Sequence, residues 1–147
     1  MRRSRVQTSI ERALVPLLEP GEELRAGSAV WMADRREHVP LLFTSRAVYL
    51  LALTSQRLLV FDTPRRGRPV LEADLLLAKP HDAFTLRHVS RLLPLLQLRI
   101  SMASRELVME FRPRDRAAGR AVATALRAGQ RGARNGAAPD AAAGANR

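Results

Sequence analysis

The side chains able to move protons are few. His38, His81 and His88 are the three histidines of the chain. His81-Asp82, and His38 with Asp34, have the composition of an acid–base pair, in which a carboxylate orients an imidazole and stabilises its charged form. Both pairs sit in polar segments that read as solvated turns or loops, where the same residues do no chemistry. No two histidines have HxH or HExxH spacing, so no metal is expected. There is no cysteine, which excludes thiolate nucleophiles, disulfides, zinc ribbons and thiol redox motifs. Neither a G-x-S-x-G elbow nor a G-x-x-x-x-G-K-[ST] phosphate loop occurs. The sequence therefore points to no catalysis, no cofactor and no small-molecule substrate.

Anion recognition is the chemistry that remains. The 147 residues carry a net charge of +11, but unevenly. Residues 1–5 contribute +3 and residues 112–147 contribute +6, while the segment between them carries 14 basic against 12 acidic side chains. Charge at the ends suits a loosely held anionic partner better than a preformed reading surface. Within the middle, Arg65, Arg66 and Arg68 fall in a loop bracketed by Pro64 and Pro69, where they could attract lipid headgroups or simply meet water. Arg35, Arg36 and Arg46 lie within a second charged segment, 34–47, as candidate anion contacts. Leu41, Leu42 and Phe43, after Pro40, read either as an exposed apolar contact or as part of a buried strand. Arg57 reads either as an anion contact or as a packed stem whose head reaches a carboxylate such as Asp62 or Glu72.

The elements that would position these residues follow from periodicity. Val6, Ile10, Ala13, Leu14, Leu17 and Leu18 form one helical stripe. Thr8 and Glu11 have capping-box spacing, which predicts regular turns from about Ser9, and Pro16 ends or kinks the helix. Glu19-Pro20-Gly21-Glu22 has Pro and Gly at the centre of a type II turn. Strands are expected over Leu24–Ala33, Ala47–Leu53, Arg57–Asp62 and Val70–Ala78. Asp34–Pro40, Thr54–Gln56 and Lys79–Asp82 lie between them as loop and turns. Leu96, Leu98, Ile100 and Met102 alternate with polar residues, as do Leu107, Met109 and Phe111, predicting a hairpin with one face on a core and one on water. Its turn is read as Ala103-Ser104-Arg105-Glu106. Pro113 and Asp115 open a last helix with an Ala118, Ala121, Val122, Ala125, Leu126 stripe, Arg116, Arg120 and Arg127 facing away, and Gly129 as its stop. Residues 129–147 contain no large apolar side chain and read as a disordered tail.

Several of these segments carry a resemblance. LLEPGEEL (17–24), YLLALTSQRLLVF (49–61), LQLRISMASRELVMEF (96–111) and the closing helix (113–128) are similar to the bacterial pleckstrin-homology-like domains. Those have a "pGE" turn before the first strand and an "LTxxRL" step between the second and third, here Leu53-Thr54-Ser55-Gln56-Arg57-Leu58. The resemblance covers residues 14–128. It implies a mainly β fold: a seven-stranded, partly open barrel capped by a C-terminal helix, to which the N-terminal helix is an addition. It also implies a binding or scaffolding module, not an enzyme. The phosphate-clamping loop of the phosphoinositide-binding relatives would fall within Asp34–Ala47. That segment holds Arg35, Arg36 and Arg46 with Asp34 and Glu37, has no Lys, and lacks the usual spacing.

The expected organisation is an N-terminal arm and helix over 1–23, a barrel with its helix over 24–128, and a tail over 129–147. The longest apolar run, Ala47–Leu53, is too short to cross a bilayer as a helix, so the sequence predicts a soluble cytoplasmic protein, peripheral to the membrane if it meets one. The leading functional expectation is an adaptor acting through protein–protein contact or self-association, with edge strands beside the barrel opening as the means. The alternative is a binder of anionic lipid through the Arg-rich loop and termini. The third is nonspecific nucleic-acid binding, with no sequence-specific partner.

Overall fold

A computed structural model describes residues 5–34, 47–65, 68–92 and 94–136. Helix α1 (Arg5–Leu14) leads into strands β1 (Leu24–Asp34), β2 (Val48–Thr54), β3 (Arg57–Asp62), β4 (Leu75–Pro80), β5 (Thr85–Leu92), β6 (Leu95–Met102) and β7 (Arg105–Phe111), and the chain closes with helix α2 (Arg116–Gly136). All pairings are antiparallel, in the order β4-β3-β2-β1-β7-β6-β5. β1 joins the two halves. Leu24–Trp31 pairs with β2, and Trp31–Asp34 pairs with β7. Among the described residues β4 and β5 do not pair with each other, so the sheet curls into a half-barrel open between them. This is the seven-stranded, helix-capped architecture implied by the resemblance.

The two halves of the sequence pattern have different causes. In β2 and β3 the runs Leu50–Thr54 and Leu58–Phe61 are buried without a break, because both faces are covered. Leu51, Leu53 and Leu58 point into the barrel with Leu98, Ile100, Met109, Phe111 and Phe84. Leu50, Ala52, Leu59 and Phe61 point the other way, under Ile10, Ala13 and Leu14 of α1. A strand covered on both faces reads as a continuous apolar run instead of an alternation. The N-terminal helix is thus what buries the outer face of this half, at about 25 cal/mol per Å² of apolar surface removed from water.

α2 closes the barrel. Val122, Ala123 and Leu126 join the inner core. Two glycines let it come close. A Cβ at Gly119 would lie 2.7 Å from Leu96 Cδ2 and 2.8 Å from Phe111 Cδ2, and one at Gly129 would lie 2.9 Å from the backbone carbon of His81. Gly129 is therefore a packing position and not a stop: α2 continues through it to Gly136. This corrects the expected helix end and the expected disorder over 129–136. Residues 137–147 lie outside the described residues.

Other boundaries shift for local reasons. α1 starts at Arg5, so Thr8 lies inside the helix and does not cap it. The expected strand over Val70–Ala78 begins only at Leu75. Glu72–Asp74 form a 3-10 turn in which the Leu71 N–H donates to Asp74 Oδ2 at 2.8 Å. β4 then runs on to Pro80, and His81–Ala83 make a second 3-10 turn. The β6–β7 turn is Ala103-Ser104 alone, with Arg105 already paired to Met102 and Ala103 at a φ of 52°. The outer face of this hairpin is not wholly in water: Gln97, Val108 and Glu110 are buried, and Trp31 is nearly so beneath the Arg112 guanidinium, 4.3 Å above its ring. Pro16 behaves as expected: the helix tightens into a 3-10 turn at Val15–Leu17.

Candidate functional site

The motif residues converge on one ionic cluster. The Glu19–Glu22 turn closes through Glu22 N–H to Glu19 O at 3.0 Å, with Gly21 at a φ of 78°, the positive value a type II turn requires. This swings the Glu22 carboxylate beneath the β2–β3 turn. Arg57 donates to it twice, Nε to Oε1 at 3.0 Å and Nη2 to Oε2 at 2.6 Å. The Thr54 hydroxyl donates to Oε1, and the Glu19 N–H donates to Oε2 at 2.9 Å. Thr54 Oγ1 itself accepts the N–H groups of Gln56 and Arg57 at 3.2 and 2.8 Å, which shapes the turn. Arg57 Nη2 also donates to the Leu17 carbonyl at 2.8 Å, tying in the segment that leaves α1.

The Glu22 side chain is fully buried, and that of Arg57 is one-fifth exposed. The Arg57 guanidinium holds the Glu22 carboxyl down at about 2, against the opposing effect of burial, with help from the Glu19 N–H and the Thr54 hydroxyl. Glu22 in turn raises the pKa of Arg57. Both Glu22 carboxylate oxygens and Arg57 Nε and Nη2 are engaged within the chain, so the "pGE" and "LTxxRL" motifs serve folding. The reading of Arg57 as an ion-paired, packed side chain holds, but its partner is Glu22, with Glu19 at 3.6 Å, and not Asp62 or Glu72.

The other candidates divide. Arg65 is exposed, and Arg68 is paired to Asp74 at 2.6 Å. That guanidinium, and after it the Leu71 N–H, lowers the Asp74 pKa. Arg35, Arg36, Arg46, Arg66, Leu41, Leu42 and Phe43 lie outside the described residues, as does His38. His81 Nε2 is buried without a hydrogen-bond partner, and among the described residues no hydrogen bond or ion pair joins the His81 side chain to Asp82. Among the described residues no cluster of His, Asp and Glu is placed to hold a metal, and no helix is long and apolar enough to cross a membrane.

Two further surfaces stand out, an edge strand now identified as β5 and a row of arginines longer than the sequence pattern indicated. One is the free side of β5. Its eight residues bond to β6 alone among the described strands, and Arg87, His88 and Arg91 on it are exposed. The opposite free edge, β4, ends in Lys79-Pro80 and carries a register shift beside Leu76. The other surface is the outer side of α2. Arg120, Arg127, Arg131 and Arg134 are all exposed there, and the last three line a shallow depression with Gln130.

No family model and no curated protein matches the chain. Among solved structures, it is similar to a pleckstrin homology domain from Shewanella amazonensis SB2B, with a TM-score of 0.45 and 18% identity, covering 82% of this chain and 97% of that one.

Proposed function

We propose that this chain is a non-catalytic binding module that takes an extended segment of another protein as an added strand on β5. The observation that carries it is the contrast between the two sheet edges that stay unpaired among the described strands. A strand edge is a row of unpaired N–H and C=O groups, and proteins blunt it with Pro, Lys, bulges or covering elements. β4 has Lys79, Pro80 and a bulge. β5 has a register shift between Leu86 and His88 but no Pro, and it runs for eight residues. Its charged side chains are all basic, so pairing with a second copy would gather like charges on one ribbon, which is destabilising. An acidic extended segment fits better than self-association. Lipid binding through the Arg65–Arg68 loop is the weaker reading, since Asp74 already neutralises Arg68.

The test is selection of binders from a displayed random-peptide library against the full chain, followed by amide hydrogen exchange. The expected result is acidic, extended peptides whose binding slows exchange in Thr85–Leu92 and leaves Leu75–Pro80 unchanged. Protection at β4 or elsewhere, or failure to select any such peptide, overturns the proposal.

A further inference from the structure

α2 presents a second charged surface, on the side that faces away from the barrel. Over Arg116–Gly136 it contains no Asp or Glu. At 3.6 residues per turn, Arg120, Arg127, Arg131 and Arg134 fall within an arc of about 60° and extend over about 21 Å. All four are exposed, and among the described residues none has an ion-pair partner. Elsewhere Arg57, Arg68 and Arg105 are each paired to a carboxylate. The row is also held in place. Val122, Ala123 and Leu126 are buried in the barrel, Gly119 rests on Leu96 and Phe111, and Gly129 rests on the backbone of His81 and Asp82. Close-packed contacts along one side of a helix fix the direction of the other side.

We infer that this row binds the phosphate backbone of double-stranded nucleic acid without reading its sequence. Three features favour that occupant. A narrow, straight line of charge matches a rod-shaped polyanion: a duplex presents one charge per about 1.7 Å of its axis, so the row spans about a dozen phosphates. Guanidinium forks match phosphate oxygens. A bilayer is the poorer fit, because interfacial helices bury an apolar face among the acyl chains. The apolar side of α2 is occupied by the barrel, and between Arg116 and Gly136 its exposed residues other than arginine are Ala, Gly, Thr and Asn. Recognition is sequence-blind for the same reason: the row offers only guanidinium groups, and no aromatic among the described residues is exposed as a stacking platform.

The experiment measures binding of the full chain to a labelled mixed-sequence duplex by fluorescence anisotropy across a salt series. Log K falls with log salt at about 0.9 per phosphate contact. R127Q/R131Q/R134Q, built from exposed side chains so that folding survives, is expected to flatten that slope by about 2.7. R12Q/R25Q/K79Q removes the same charge from other exposed positions and is expected to leave the slope nearly unchanged. Phosphatidylserine vesicles, compared at equal phosphate concentration, are expected to bind more weakly than the duplex. Equal flattening in both triple variants, absence of duplex binding, or tighter binding to vesicles overturns the inference.

Discussion

The arginines around the Glu22 turn and those along α2 are the same side chain put to opposite uses. Arg57 sits between a buried carboxylate, a second glutamate and a backbone carbonyl, and its charge is spent within the chain. The α2 row lies on a helix without acidic residues, has no ion-pair partner among the described residues, and stands on the outside of a firmly docked helix. What differs is the company each guanidinium keeps. Buried opposite charge makes an arginine part of the fold, and an acid-free surface leaves it available to something outside. Composition alone, with its large excess of arginine, does not separate the two.

Breaking the first region should cost the most. Arg57→Ala leaves the Glu22 carboxylate buried and unpaired, and the expected loss is about 3–5 kcal/mol of unfolding free energy in a urea titration. An effect under 1 kcal/mol would place Arg57 with the surface residues. Next in size is the pH dependence of the same pair. The folded-state pKa of Glu22, about 2, lies below its ordinary 4.5, so the unfolded chain binds the extra proton between those values. The contribution is therefore complete above about pH 5 and lost as pH falls toward 2, for a total of about 3 kcal/mol. Glu22→Gln should remove this part of the acid limb of a stability–pH profile. An unchanged limb would show that other carboxylates carry it.

Gly119→Ala tests the docking that presents the second region. The added methyl would meet Leu96 and Phe111 below 3 Å, for an expected loss of about 1–3 kcal/mol by thermal or urea unfolding. A gain, as helix propensity alone would give, would mean that α2 sits less tightly than described. Arg68→Ala probes the intermediate case, a paired arginine at the surface. Its loss should be the smallest of these and should vanish in high salt, because exposed pairs are screened. Persistence of the loss at 1 M salt would move Arg68 into the same class as Arg57.

Much of this was legible from the residues. The alternation of Leu96, Leu98, Ile100, Met109 and Phe111 gave the inner face of the barrel, because a period of two survives wherever one face is dry. The positive φ of Gly21 followed from Pro-Gly at the centre of a turn. The failures share a cause: they depend on what lies across the fold. Arg57 finds Glu22, 35 positions earlier in the chain, and no local spacing points to it. Gly129 resembles a helix stop until the backbone of His81 is placed against it. Gln97 and Glu110 look like water-facing positions of an alternating hairpin, yet both are buried, with Gln97 donating to Glu110 at 3.3 Å. The α2 row was half visible in Arg116, Arg120 and Arg127, and Arg131 and Arg134 joined it only when the helix proved to continue.

The most direct test of the distinction between the two sets of arginines is the unfolding free energy of R127Q/R131Q/R134Q, measured by urea titration. Substitutions at exposed positions without partners stay within about 0.5 kcal/mol of zero each. The triple variant is expected to stay within about 1.5 kcal/mol of the parent, and to gain most at low salt, where relief of like-charge repulsion along the helix is greatest. A loss of about 2 kcal/mol or more would contradict that expectation, by showing that these arginines, like Arg57, are held by the fold.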